Sequence, residues 1–361
     1  MKKKQKEIEL SPEVLKILRE TSGYSVEEIV KKLKTSEEKV KAVEEGKSVF
    51  SLIQIKKLAD IYKRPLAAFF SDTISDIPQV PDYRINREKK LTPQVYLAKR
   101  RVFYLINKIK KLSEKRTQIS SFSEKLNADE LATEFKKNLN IELIKSKKPE
   151  EILAHYKKVL EDKLTIIIIE YPLKADDVRA FSVFSDISVI VLNENDKSSI
   201  KLFSLLHEVC HLLKKTAGIC SLEIEQQNQD IETYCNRFAA EFLVPSNDLK
   251  IEVEKFRPID EEAINQLSEI YGVSKQVMMF RLSSFGYIEK GKYEQFKKEI
   301  DENLKQKVFG RRNWNKVFIN RVGNLPLQEI KRAYKEEKIT FYEASSILDL
   351  KTKYAEKILT S

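Results

Sequence analysis

The chain contains 361 residues, of which 42% are hydrophobic and 34% are charged, so it can bury a sizeable core and is too apolar for a disordered protein. Only 8 Gly and 10 Pro leave little turn chemistry for a many-stranded sandwich and favour helices joined by short loops. The net charge of +11 suits an acidic partner such as nucleic acid, but a Lys-rich composition without functional meaning explains it equally well.

The sequence also bears on the cellular compartment. No apolar run reaches the length that a membrane helix needs, and the basic start MKKKQKEIEL lacks the apolar stretch of a signal peptide. Three cysteines are too sparse a set for a disulfide framework. We therefore expect a cytoplasmic protein without a membrane partner.

Residues 11–72 are predicted to form a compact helical unit. Ser25 can cap a helix that runs to Lys34, and a second helix opens at Ser36 or the next residue and ends near Gly46. This helix, short turn and helix resemble the helix-turn-helix domain of the phage-repressor (XRE) type. The resemblance covers about sixty residues and implies a DNA-binding unit.

The second helix of that pair begins with acidic residues. Glu37 and Glu38 stand where XRE domains carry side chains to the base edges, and Glu44 and Glu45 follow. Carboxylates beside phosphates are repelled. Two interpretations stay open, namely that the unit reads DNA, or that it docks a protein or is purely structural.

A basic segment follows a predicted linker. Residues 72–81 contain two prolines and break the helical periodicity. Residues 82–116 then carry twelve Lys/Arg against three acidic residues, mostly on a helix predicted over 93–115. Such a run is typical of a solvated helix face, and a nucleic-acid-binding stripe is the alternative.

A small sheet is predicted in the middle of the chain. Residues 164–171 are rich in β-branched side chains, and residues 178–184 and 188–193 alternate apolar and polar about a turn at Ser185 and Asp186. This pattern indicates a β-hairpin. The sheet is followed by the next helix.

The motif HEVCH (residues 207–211) lies within an uninterrupted helical pattern over 198–214. Residues four apart project side by side on a helix, so His207 and His211 can bind one metal ion, and Glu208 can act as a base on a water molecule. Zinc suits two imidazoles and a carboxylate, although manganese and iron use similar ligands. The alternative is a pair of histidines packed in the core.

A third ligand must come from another segment. Residues 230–245 are predicted to form a second helix, on which Glu232 and Asn236 share a face with small residues that allow close helix packing. Glu232 could complete the site, and Asn236 could hold that ligand or a histidine by a hydrogen bond. The rival third ligands are Asp230, Glu225, Glu223 and His155.

Taken together, HEVCH, the segment ETYCNRFAAEFLVP (232–245) and the hairpin FSVFSDISVIVLNEND (181–196) resemble the ImmA/IrrE family of zinc metallopeptidases. The family pattern Glu-x-x-Ala-Asn-x-Phe-Ala-Ala-x-x-Leu-Met-Pro implies that Glu232 is the third zinc ligand. Cys235 and Val244 replace the Ala and the Met of that pattern. PDYR (81–84) and the closing RNWNKVFINRVGNL also look like parts of longer members.

The resemblance implies a zinc-dependent endopeptidase that cleaves a helix-turn-helix transcriptional repressor, in a stress response or a mobile element. Glu208 is its expected catalytic base. Tyr234 and Arg237 are candidates for stabilising the oxyanion, and Cys210 is expected to pack as a small apolar residue. The alternative is a DNA-binding transcriptional regulator with a structural or sensory metal site, which the basic charge and the helix-turn-helix-like spacings favour.

We predict a mostly α protein with a small β-sheet, of the α+β class. The expected domains are an XRE-type domain over 1–75, a zincin-like metallopeptidase domain with preceding helices over 76–255, and a helical region over 256–361. Within the last region, helix-turn-helix-like spacing recurs at 261–285 and at 340–359.

Overall fold

The computed structural model describes residues 10–70, 92–119, 125–173, 178–215, 226–256, 258–289, 291, 293, 314–350 and 352–360. The predicted linker (72–81) and the PDYR segment (81–84) lie outside these residues. Contacts between Cα atoms divide the chain into two compact units, residues 1–104 with 172–175, and residues 105–171 with 176–361. The three-domain division stays a prediction.

The described residues form a mostly helical structure with one three-stranded sheet, which confirms the predicted α+β class. The elements are α1 (Pro12–Glu20), α2 (Val26–Leu33), α3 (Glu37–Glu44), α4 (Leu52–Tyr62), a 3-10 helix (Leu66–Phe70), α5 (Pro93–Leu112), α6 (Ala128–Asn138), α7 (Pro149–Leu164), β1 (Ile167–Tyr171), β2 (Ala180–Val183), β3 (Val189–Asn193), α8 (Ser198–Leu213), α9 (Gln226–Leu243), α10 (Ser246–Val253), α11 (Glu261–Tyr271), α12 (Lys275–Ser284), α13 (Trp314–Val322), α14 (Asn324–Lys335), α15 (Phe341–Leu348) and α16 (Thr352–Thr360). None of these helices is long and apolar enough to cross a membrane.

The first unit contains the predicted helix-turn-helix pair. Ser25 and Glu28 form a capping box at the start of α2, and Ser36 caps α3. Lys34 ends α2 in the left-handed conformation, with φ of 55°. The apolar side chains of the two helices are buried in one cluster with those of α1 and α4.

The basic helix α5 is less solvated than its composition predicts. The side chain of Lys99 is 2% exposed, and Arg100 donates hydrogen bonds to the carbonyl oxygens of Tyr62 and Lys63 at 2.7 Å each. Lys111 is exposed. The expectation of a solvated face is therefore wrong for the first part of this helix, because its long side chains pack along the unit.

The sheet of the second unit has the strand order β1-β3-β2. Strands β2 and β3 pair antiparallel, with Val183 opposite Val189, which confirms the predicted hairpin. Strand β1 runs parallel to β3 and begins at Ile167, three residues later than the predicted segment. The preceding helix α7 extends through Leu164 and ends at Thr165, whose left-handed backbone (φ of 53°) stops the helix and turns the chain.

A buried ionic cluster joins the sheet to two helices. Glu170 on β1 accepts hydrogen bonds from Lys157 on α7 at 3.1 Å and from Lys201 on α8 at 2.6 Å, and each of the three residues is at most 9% exposed. Burial opposes ionisation of Glu170, but the two ammonium groups outweigh this effect and lower its pKa. The cluster therefore fixes α7 and α8 on β1.

The helices α13 and α14 pack against β1. Arg321 pairs with Glu194 just after β3, and Asn324 donates to Glu161 on α7 at 2.7 Å. Gly323 lies so close to the sheet that a Cβ atom there would be 3.0 Å from the carbonyl oxygen of Ile168. This part of the C-terminal region is thus built onto the sheet.

The two helix-turn-helix-like spacings of the C-terminal region also form helix pairs. In the first, α11 ends at Gly272, which has φ of 65°, and α12 begins after the cap residue Ser274. In the second, Thr340 caps α15 and Asp349 ends it, with φ of 55°. Both pairs confirm the predicted helices and turns.

Candidate metal centre

Helix α8 brings the two motif histidines together beneath the sheet. Its apolar side chains, among them Leu205, Leu206 and Val209, are at most 1% exposed, so tertiary packing fixes the rotation of the helix. His207 and His211 therefore point to the same side, and their Nε2 atoms are 3.0 Å apart. The side chain of His207 is 13% exposed and that of His211 is 1% exposed.

Helix α9 packs on α8 and presents Glu232 to both rings. Its carboxylate oxygens lie 3.1 Å from Nε2 of His207 and 3.4 Å from Nε2 of His211. Ala239 and Ala240 are fully buried, and their small side chains permit the close approach of α9. One ligand atom from each of the three residues lies within 4.8 Å of the others, so this group could hold a metal ion.

Two further residues of α9 orient the imidazoles. Oδ1 of Asn236 lies 3.0 Å from Nδ1 of His207. An amide oxygen can only accept, so Nδ1 carries the proton and Nε2 presents its lone pair to the site. His211 makes a corresponding hydrogen bond with the thiol of Cys235. The ring of His207 is thus held from the side opposite to its ligand atom, as in protein metal sites.

The electrostatics of the group favour a bound cation. Burial disfavours the charged form of Glu232, but the interactions with the facing rings of His207 and His211 outweigh this effect and lower its pKa to about 2. Burial also opposes protonation of His211, whereas hydrogen bonds with Cys235 and Glu232 raise its pKa to about 10. The ionised carboxylate facing two ring nitrogens therefore attracts positive charge, and the donor set fits zinc.

Glu208 occupies a different environment from Glu232. It is 3% exposed, and Ser182 on β2 donates a hydrogen bond of 2.7 Å to its Oε2 atom. Burial raises the pKa of Glu208, although His207, His211 and the hydrogen bond from Ser182 act in the opposite direction. A carboxyl group whose pKa is raised in this way can both accept and return a proton.

One known protein family matches this part of the chain. Residues 161–283 match the model of the Peptidase_M78 family, whose description is "IrrE N-terminal-like domain". This segment is similar to that family. The match confirms the resemblance to the ImmA/IrrE family. The matched segment contains the whole candidate metal centre, and the matched family is a peptidase family.

The chain is also weakly similar to a solved structure. The chain is 16% identical to a solved structure of a "Mycobacterium tuberculosis transcriptional regulator", with a TM-score of 0.34. The similarity covers 43% of this chain and 46% of that chain, so the chain spans less than half of that protein's length. No curated protein matches this sequence.

Two of the rival third ligands, Asp230 and His155, do not join the candidate metal centre. Asp230 is exposed on α9, and His155 is exposed on α7, where its ring contacts that of Tyr156. Neither belongs to the group that could hold a metal ion. Glu223 and Glu225 lie outside the described residues, and the assignment of Glu232 as a ligand stays a prediction.

The two candidate oxyanion donors have other partners. The hydroxyl of Tyr234 donates to the carbonyl oxygen of Leu126 at 2.8 Å. Arg237 forms a bidentate pair with Asp129 on α6, with a shortest distance of 2.8 Å. Both side chains serve to attach α9 to α6.

Two residues that contact the candidate metal centre, Ser182 and Cys235, were not predicted from the sequence. In the sequence, Ser182 is an ordinary position in the alternating pattern of the hairpin. Cys235 is a mild departure from the family pattern, in which an Ala stands at this position. Cys235 in fact hydrogen-bonds with Cys210 and with His211, and the contact with Cys210 together with burial raises its pKa, so it stays a neutral thiol. No signal in the sequence marks Ser182, because its contact with Glu208 depends on how β2 packs on α8.

Proposed function

We propose that the chain is a metal-dependent endopeptidase in which His207, His211 and Glu232 hold a zinc ion. The observation that carries the proposal is the convergence of two ring nitrogens and an ionised carboxylate from two helices. Three protein ligands leave a coordination position open, which distinguishes catalytic from structural zinc sites. Manganese or iron would use the same ligands.

When bound, zinc supplies a Lewis acid that polarises the scissile carbonyl and activates water. Glu208 is the base that takes the proton from the attacking water and delivers it to the leaving amine. Ser182 engages Oε2 of Glu208, which leaves Oε1 for the transfer. Burial raises the pKa of Glu208, which helps its carboxyl group to hold the proton between the two steps.

The variant Glu208→Gln tests this assignment. It keeps the shape of the side chain but cannot accept a proton, so we expect unchanged zinc content and a loss of cleavage of at least about a hundredfold. Glu254→Gln, at an exposed position outside the site, is the matched control. Cleavage that persists in Glu208→Gln would refute the role of Glu208.

We further propose that the substrate is a helix-turn-helix transcriptional repressor and that the reaction takes place in the cytoplasm, during a stress response or in a mobile element. The resemblance to the ImmA/IrrE family supports this substrate. Co-expression with the product of the neighbouring open reading frame, followed by mass analysis of the fragments, tests it. Fragments must appear with the wild type and be absent with Glu208→Gln.

The second candidate function is a DNA-binding transcriptional regulator. The capped helix pair α2–α3 and the net charge of +11 favour it. Against it, the exposed start of α3 carries Glu37 and Glu38, and Lys41 pairs with Glu37 at 2.6 Å. A gel shift on the upstream DNA at low salt tests this function, because phosphate contacts strengthen as salt falls. From the charges on α3 we expect no shift.

A further inference from the structure

A cavity of about 370 Å³ lies between α6 and the start of α10, away from the candidate metal centre. Its polar lining comes from Thr133, Lys136, Lys137, Asn140, Glu241 and Asn247, and the rest of its wall is apolar. A cavity of this size accepts a small organic molecule. The polar groups are mainly hydrogen-bond donors and cations, so the lining suits an anion.

Lys136 is a lining residue whose ammonium group has no hydrogen-bond partner in the part of the chain that the structure describes. Its Nζ atom is buried, and no hydrogen-bond acceptor among the described residues reaches it. The ammonium lies 4.5 Å from the ring centroid of Phe242, which gives a cation–π contact but no hydrogen bond. A buried ammonium without an acceptor is costly, so an acceptor supplied from the cavity would stabilise it.

The acidic residue of the lining does not provide that acceptor. Glu241 pairs with Arg281 and accepts hydrogen bonds from the amide and the hydroxyl of Ser246, at 3.0 and 2.6 Å. The positive charge of Arg281 compensates its carboxylate. Lys136 and the exposed Lys137 thus leave the cavity with an excess of positive charge.

We propose that this cavity binds a small molecule with a compact oxyanion, a phosphate or a carboxylate group, through the ammonium of Lys136. Lys137 adds positive charge, and Asn140 and Asn247 offer amide donors to the rest of the ligand. The apolar part of the wall packs on the carbon skeleton. Burial lowers the pKa of Lys136 to about 8, and a neighbouring anion would favour its charged form.

Calorimetric titration of the full-length chain with inorganic phosphate, and separately with acetate, tests the proposal. A chelator removes divalent metal beforehand, so that neither anion can bind at the metal centre. We expect saturable binding of one anion per chain, weakened about tenfold or more by Lys136→Met, which removes the charge-assisted hydrogen bond. Tighter binding of phosphate would indicate a phosphorylated ligand, and tighter binding of acetate a carboxylate.

Two further variants complete the experiment. Lys250→Met, at an exposed position of α10 outside the cavity, must leave binding unchanged. Asn140→Asp places a negative charge on the exposed part of the wall without disturbing the core, and we expect it to weaken binding about threefold. The absence of saturable binding of both anions, or equal binding by the wild type, Lys136→Met and Asn140→Asp, would overturn the proposal.

Discussion

Three side chains at the candidate centre each contact one further polar residue that orients them. Asn236 fixes the ring of His207, Cys235 contacts that of His211, and Ser182 holds the carboxylate of Glu208. Such partners determine which nitrogen or oxygen faces the reacting atoms. The residues behind the ligands are therefore as informative for mutagenesis as the motif itself.

Substitution of Ser182 by Ala tests whether the hydrogen bond to Glu208 contributes to catalysis. The hydrogen bond to Glu208 would be lost while the three candidate ligands keep their positions. We expect kcat to fall about tenfold with KM and zinc content unchanged, because a hydrogen bond to a charged group contributes about 1.5 to 3 kcal/mol. Steady-state kinetics on a cleaved repressor or peptide, with metal analysis, provide the measurement.

Two comparisons make that experiment specific. Ser182→Thr keeps the hydroxyl and should restore most of the activity. Ser268→Ala removes a buried hydroxyl on α11 that bonds to the carbonyl oxygen of Ile264, and should leave kcat unchanged. Full activity of Ser182→Ala would show that Glu208 needs no such partner.

The residues predictable from the sequence are those linked by helical spacing. His207 and His211 are four positions apart, so the helix period alone brings them together. Ser182 reaches Glu208 across 26 positions, through the packing of β2 on α8. No local pattern encodes that contact, since it depends on how the sheet lies on the helix.

At the level of secondary structure, caps decide where helices start and stop. Ser25 and Ser36 predict their helix starts because a side-chain oxygen satisfies a free amide. The start of β1 is less predictable. Helix α7 continues into the β-branched run as far as Leu164 and ends only at Thr165, which adopts a left-handed conformation that its residue type does not favour.

The buried cluster of Glu170, Lys157 and Lys201 predicts a pH-dependent stability. The pKa of Glu170 is lowered from its ordinary value of 4.5 on folding. Its contribution is therefore complete above pH 4.5 and is lost as the pH falls through the folded pKa. Glu170→Gln leaves two buried ammonium groups without a counter-charge and should lower the free energy of unfolding by about 3 to 5 kcal/mol at neutral pH.

Urea unfolding between pH 3 and pH 7 checks this, at roughly one-unit intervals. The difference between the wild type and Glu170→Gln should narrow below pH 4.5, where the wild type also loses the charge. Glu254→Gln, which changes an exposed carboxylate, should show the wild-type dependence throughout. A constant difference across the range would contradict the ionic role of Glu170.

For the whole molecule, the sequence predicts the class and the order of the elements better than their assembly. The hairpin and the helix pairs follow from local patterns, and the α+β class follows from their sum. The packing of α13 and α14 on β1, and of α14 on α7, does not follow from local patterns, because it rests on contacts between residues far apart in sequence. Asn324 and Glu161, for example, are separated by 163 positions.

We propose above that one metal ion binds between α8 and α9. Elemental analysis of the purified full-length chain, of the double variant His207→Ala/His211→Ala and of Glu208→Gln tests it most directly. We expect about one zinc per chain for the wild type and for Glu208→Gln, and none for the double variant. Stoichiometric metal in the double variant, or no metal in the wild type after loading with zinc, would contradict it.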